Sequence, residues 1–309
     1  MKRRTTVLWV GALALVGAGI AHAQLTPSGD PATDPATPSS DAGVPALDAG
    51  DTAGDREAAP SVTSTPAEPA ASDDRPAPRA PVRAAPSPYR VTPELVRLGR
   101  RAFADRCTEC HGTAGRGDGP DARFLSPPPR DLTRGVFAIR STLSGQLPTD
   151  WDIYRTLRRG MPGTGMPAWS GVPERELWAL VAFIKTLSPR FRDESAGEPI
   201  IVPPAPPATE ASIVRGRRAY QRMGCTVCHG IDGRGRGPGA RTLVDDQGRR
   251  AYPFDFTRGW MMKGGSSPED VYRTFHTGID GTPMPSYHDV IDAAESWDLV
   301  HYTRSLFVQ

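Results

Sequence analysis

The sequence predicts an all-α protein made of two tandem repeats, each with three or four helices joined by long Gly/Pro loops. Three observations predict it. The C-terminal part of the chain matches itself at an offset near 118 residues. In both copies helix-start signals precede apolar residues at helical spacing. No stretch shows the period-2 alternation of a half-buried strand.

The elements follow in order. Lys2, Arg3 and Arg4, an apolar run over 7–20, and Ala21 and Ala23 read together as a secretory signal over 1–23. The run is short for a bilayer span, which needs about 20 residues. Cleavage after Ala23 is therefore expected, leaving a soluble periplasmic protein; an uncut segment would instead tether it to the membrane. Residues 24–88 are nearly all Ala, Pro, Asp, Ser, Thr and Gly, with ten acidic and four basic residues and no aromatic one. Such a segment buries too little apolar surface to offset its ordering entropy and is expected to be a disordered linker.

The first repeat is placed at 89–190. Thr92-Pro93-Glu94 reads as an N-cap with proline at the first helical position. Leu95, Leu98, Ala102 and Phe103 continue the helix to the first cysteine. Thr149 caps a middle helix ending near Gly160, and Pro173-Glu174 opens a last helix with Leu177, Leu180, Val181 and Ile184 on one face. A Pro-rich linker at 191–208 is expected to be stiff and extended. The second repeat, 209–309, has its middle helix capped by Ser267 and ended near Gly278.

The match between repeats is detailed. "CTECHG" at 107–112 returns as "CTVCHG" at 225–230, and "GRGDGPDAR" at 115–123 returns as "GRGRGPGAR" at 233–241, both at an offset of 118. "DLTRG" at 131–135 matches "DFTRG" at 255–259 at 124, and "DIYRTL" at 152–157 matches "DVYRTF" at 270–275 at 118 again. Compensating loop insertions explain an offset that drifts by six and recovers. The chain is a tandem duplication.

The formal net charge of +2 and the lack of a dense Lys/Arg run argue against a nucleic-acid partner. All four cysteines lie in two C-x-x-C-H motifs, Cys107–His111 and Cys225–His229. That is the spacing of c-type haem attachment: two thiols for one porphyrin edge, and an adjoining imidazole for the iron. A thioredoxin-like pair would need a βαβ pattern, a paired zinc site would space its motifs by about 15–20 residues, and a disulfide scaffold would not follow both pairs with histidine. Two covalently attached haem c groups are the expected cofactors.

On these residues the chain resembles class I cytochrome c, twice over, across roughly 90–309. The resemblance implies that the helix before each motif crosses the last helix through Gly99/Phe103 and Gly216/Tyr220, with Trp178/Phe183 and Trp297/Tyr302 as partners. It implies that Pro120 and Pro238 offer their carbonyls to the proximal histidine Nδ1–H, although a G-x-G-P turn alone would also explain them. Leu125 and Leu243 would line the haems, and a methionine in an M-P loop before the last helix would be the sixth ligand.

Repeat two has one such methionine, Met284; the offset of 118 maps it onto Met166 and maps Met161 onto Ile279. Both chosen methionines stand 55 residues after their histidine. His111, Met166, His229 and Met284 are thus the expected iron ligands. His276, His288 and His301 have no histidine counterparts in repeat one and read as core or surface residues; Met261 and Met262 likewise lack methionine counterparts. Arg134 and Arg258, from the shared D-[LF]-T-R-G segment, are either haem-propionate partners or exposed loop arginines.

Histidine and methionine fill both axial positions of an iron, which favours single-electron transfer over catalysis. The expected function is therefore a periplasmic electron shuttle, or the cytochrome subunit of a larger oxidoreductase. Its partners would be redox proteins such as a dehydrogenase or a terminal oxidase. The rival reading is a dihaem enzyme, a peroxidase or thiosulfate-oxidising cytochrome, which would need an open or unusually ligated iron.

Overall fold

The computed structural model describes residues 86–308; the expected signal over 1–23 and nearly all of the expected linker over 24–88 lie outside the described residues. Each repeat folds from the same parts. Repeat one has α1 (Pro93–Arg106), α2 (Thr108–His111), α3 (Asp150–Arg159) and α4 (Glu174–Leu187), followed by the short α5 (Arg190–Asp193). Repeat two has α6 (Glu210–Arg222), α7 (Cys225–His229), α8 (Pro268–Thr277) and α9 (Ala293–Ser305). The fold is all-α, and the only strand-like pairings among the described residues are two isolated bridges.

The caps explain where the helices start. The Thr92 hydroxyl accepts from the Leu95 amide with Pro93 in the first turn, and Thr149 forms a reciprocal box with Asp152. Ser267 accepts from the Asp270 amide at the matching place in repeat two. Each cap satisfies amides that the helix itself leaves unpaired, a contribution of about 1 kcal/mol. Glycine in a positive-φ conformation ends α3 and α8 alike, Gly160 at 67° and Gly278 at 66°.

Two helix crossings build the two cores. On α1, a Cβ at Gly99 would fall onto the Ala179 carbonyl of α4; on α6, a Cβ at Gly216 would fall onto the Asp298 carbonyl of α9. Only glycine lets the backbones meet this closely. Beside each contact an aromatic pair closes the crossing, Phe103–Phe183 and Tyr220–Tyr302, both with ring centroids 5.2 Å apart. The sequence marks one apolar face of α4, but all eight residues from Leu177 to Ile184 are buried. The reason is position: α4 is packed between α1 and α3. Trp178 stacks on Tyr154 of α3 at 4.4 Å.

The linker is more than a spacer. After α5 the chain runs without helix to Thr209, yet Ala196 bridges to Leu147, and the Ile200 amide donates to the Ser141 carbonyl at 2.8 Å. Farther on, the Pro206 carbonyl lies 3.2 Å from Nε2 of His301 on α9. The expected extended piece is thus fastened at one end to repeat one and at the other to repeat two.

Direct ion pairs join the repeats as well. Arg140 is 1% exposed, and its guanidinium reaches Oδ1 of Asp280 at 2.7 Å and the Thr277 carbonyl at 2.6 Å. Asp270 at the start of α8 receives Arg155 and Arg159 from α3 as well as its own neighbour Arg273. Burial works to raise the Asp270 pKa, but these three arginines outweigh it and hold the carboxyl below its ordinary range.

Candidate functional site

In both repeats the C-x-x-C-H motif is a single helical turn directly after the long first helix. Cys107 closes α1 and precedes α2, so His111 follows on the same turn with its amide bonded to the Cys107 carbonyl at 2.8 Å. Glycine stops the turn at once: Gly112 has φ 73° and Gly230 φ 79°.

The G-x-G loop then folds back beneath the motif. Gly117 and Gly119 donate their amides to the carbonyls of His111 and Cys110, and Gly235 and Gly237 do the same for His229 and Cys228. A Cβ at Gly119 or Gly237 would meet the carbonyls of α2 or α7. The glycines of "GRGDGP" and "GRGRGP" are therefore a condition of this return.

The histidines find their acceptors elsewhere than expected. His111 Nδ1 lies 3.2 Å from the Arg130 carbonyl and His229 Nδ1 lies 3.0 Å from the Phe254 carbonyl. Pro120 and Pro238 do not take that role, and neither lines the cavity described below. The return loop presents amides to the motif, so a carbonyl must come from another segment. Arg130 and Phe254 each stand directly before D-[LF]-T-R-G, equivalent under the offset of 124. That offset was visible in the sequence and could have found them.

The methionine loops also share their hydrogen bonds. The Met161 amide donates to the Met166 carbonyl at 3.0 Å, and the Ile279 amide donates to the Met284 carbonyl at 3.1 Å. Thr164 and Thr282 receive the amides of Met166 and Met284 on their hydroxyls. Met166 packs against the core of repeat one and Met284 against that of repeat two. Met161 also lines the cavity, at the place Ile279 takes in repeat two.

Both sets open into one cavity of about 620 Å³. Its wall carries Cys107, Cys110, His111, Leu125 and Met166 from repeat one, and Cys225, Cys228, His229, Leu243 and Met284 from repeat two. None of the four cysteines is in a disulfide. Burial pushes the Cys107 and Cys225 thiols up to about 11, so both are neutral near pH 7. Burial also lowers the pKa of His111 and His229, against the opposing effect of their carbonyl partners. The imidazoles are thus kept neutral, with the proton on the nitrogen that faces the carbonyl and the other nitrogen left to bind a metal.

Residues 94–184 match the family model of cytochrome c oxidase, cbb3-type, subunit III, and residues 213–307 match that of cytochrome c. A chain from a reducing HAO-like protein complex of Kuenenia stuttgartiensis is 40% identical with a TM-score of 0.67. The similarity covers 71% of this chain and 98% of that one. The chain belongs to the dihaem c-type cytochromes. It takes part in electron transfer and carries two covalently bound haem c groups.

The cavity of the cytochrome fits such groups on its own evidence. It is a largely apolar chamber, it presents two neutral imidazoles and four unpaired thiols, and it has an orphan donor. Trp169 lines it, and the Trp169 indole N–H is buried with no acceptor among the described residues. A group bringing both apolar surface and acceptor oxygens answers that arrangement.

The remaining histidines of the cytochrome are engaged away from the cavity. His276 lies 2.9 Å from the Ser296 hydroxyl and 3.3 Å from His288, while His301 lies 2.9 Å from the Ser212 hydroxyl. Arg134 forms an ion pair with Asp246 of repeat two at 3.0 Å and is absent from the cavity wall, whereas Arg258 lines the wall. Met261, which the sequence marked only as lacking a counterpart in repeat one, lines the cavity and reaches from repeat two to Gly163 in the Met166 loop. No internal match pointed to it.

Proposed function

We propose that this cytochrome passes single electrons between periplasmic redox proteins through two haems that share one chamber. Cys107 and Cys110 would hold the first haem by thioether bonds, with His111 and Met166 as its axial ligands. Cys225 and Cys228 would hold the second, with His229 and Met284. When bound, the haems supply one-electron iron chemistry. The chain's own residues fix the ligands: the Arg130 and Phe254 carbonyls orient the two imidazoles, and the Thr164 and Thr282 hydroxyls shape the methionine loops.

One observation carries the reading: both ligand sets, each with its imidazole and thioether, line the same cavity. An imidazole and a thioether at each iron would leave no open place there for a substrate, and a shared chamber would suit exchange between the two centres. Pro120 and Pro238 drop out of the contact set, while Leu125 and Leu243 remain on the wall. The likeness to a chain from a reducing HAO-like protein complex supports a place as the cytochrome subunit of a larger oxidoreductase.

Absorption spectroscopy of the purified protein tests this. Two haems per chain are expected, with the weak red charge-transfer band of methionine ligation at both ferric irons. Rapid carbon monoxide binding by the reduced protein, or peroxide turnover, would sink the electron-carrier reading. An N-terminus at Gln24 in protein recovered from the periplasmic fraction would support export and cleavage; an intact residue 1 in the cytoplasmic fraction would refute them.

A further inference from the structure

The charges between the two sites do not balance. Asp245 and Asp246 of repeat two lie close to three arginines, Arg130, Arg134 and Arg249. Both carboxylates are already taken, Asp246 by Arg134 at 3.0 Å and Asp245 by Arg249 at 2.8 Å. The half-buried Arg130 guanidinium forms no ion pair among the described residues, and neither does the half-buried ammonium of Lys263 beside it. Both residues line the shared cavity.

Arg130 also occupies a singular place. Its carbonyl accepts from His111 in repeat one, while its Nη1 lies against Gly281 in the Met284 loop of repeat two. Gly163, the counterpart of Gly281, meets Met261 instead, so this cationic contact occurs on one side only. Arg130 and Lys263 are thus half-buried cations on one wall with no ion pair of their own among the described residues. Two withdrawn cations on a cavity wall call for an anion, and a planar guanidinium suits a carboxylate.

We propose that Arg130 couples the two haem sites: its carbonyl orients the His111 imidazole, while its guanidinium, with Lys263, binds a haem propionate carboxylate beside the Met284 loop. This rests on the two-haem reading above. One residue then serves the proximal side of one centre and the charge balance of the other. Arg130 would act as a positioning residue, holding an imidazole through its carbonyl and a carboxylate through its guanidinium.

The test is optical redox titration of the holoprotein and of the Arg130→Gln, Arg130→Lys and Lys263→Gln variants. Repeat two's haem is identified as the one that loses its methionine band in Met284→Ala. Arg130→Gln keeps the carbonyl and removes the charge, so that haem becomes harder to reduce, by about tenfold in the one-electron equilibrium, or about 59 mV. Repeat one's haem shifts less, Lys263→Gln moves both in the same direction, and Arg130→Lys restores most of the change.

Unmoved potentials in both Gln variants, with two haems bound, would overturn the proposal. So would a saturable shift of the wild-type potentials on adding acetate, since that marks an open anion site rather than one filled by propionate. Fewer than two haems in the wild-type protein would instead defeat the reading beneath it. Should Arg130→Gln fail to fold, Lys263→Gln carries the same decision.

Discussion

Repeat one and repeat two share the backbone hydrogen bonds of their ligand frame, yet they differ at several places where they face each other. The motif turn, the glycine return and the methionine loop carry the same hydrogen bonds at an offset of 118. The two insertions that break this offset supply much of the contact between repeats. Repeat two's extra residues fall between 241 and 255 and bring Asp246 to Arg134. Repeat one's fall between 135 and 152 and bring Arg140, Ser144 and Gly145 to Asp280, which sits in the Met284 loop. The lesson is a division of labour: duplication kept what holds the cofactor, and divergence made two copies fit together.

The largest test of that division is Arg140→Ala. It leaves the largely buried Asp280 carboxylate short of a cation and the Thr277 carbonyl short of a donor, a loss of about 3–5 kcal/mol by chemical denaturation. No residue of repeat two has this role, so a small effect would mean that the repeats do not depend on their insertions. Gly99→Ala and Gly216→Ala probe the shared frame instead. Each puts a methyl onto a carbonyl of the crossing helix, and each should cost about 3 kcal/mol, at the upper end for overpacking. Clearly unequal losses would show that the two crossings are not equivalent.

A pH effect from a histidine outside the candidate iron ligands should belong to repeat two alone. Burial, followed by repulsion from His288, lowers His276 to about 4, whereas repeat one has Arg158 at that position. A depressed folded pKa means that stability is complete above the unfolded value of about 6.5 and is lost as pH falls towards 4. The thermal midpoint of His276→Gln should therefore fall less steeply over that window than the wild type; parallel curves would remove His276 as the cause.

Met161→Ala and Met166→Ala sharpen the comparison spectroscopically. The second should abolish the methionine band of one haem, whereas the first should leave it, because Met161 corresponds to Ile279. The smallest effect is expected at Arg215, whose side chain is 57% exposed and pairs with Asp298, while its counterpart Arg97 pairs with Glu94 instead. Arg215→Ala should cost no more than about 1 kcal/mol, and a larger loss would give this surface pair unexpected weight.

The sequence by itself determined the all-α class and the duplication, and the class I resemblance it carries marked the Gly99 and Gly216 crossings and the Cys, His, Met and Leu residues that line the cavity. Those properties are local or repeated: caps, one-turn motifs and glycines forced by backbone contact leave a fixed spacing that a second copy makes plain. The methionine at 166 was chosen over Met161 by that spacing, and both loops have the same backbone pattern. Tertiary structure alone decided the rest. It chose Arg130 and Phe254 over Pro120 and Pro238, because a carbonyl's direction depends on how a distant segment returns to the site. It also merged two sites into one chamber and left Arg130 and Lys263 without an ion pair of their own among the described residues. Charge balance between segments more than a hundred residues apart has no period or motif to announce it; it exists only once the chain has closed around the site.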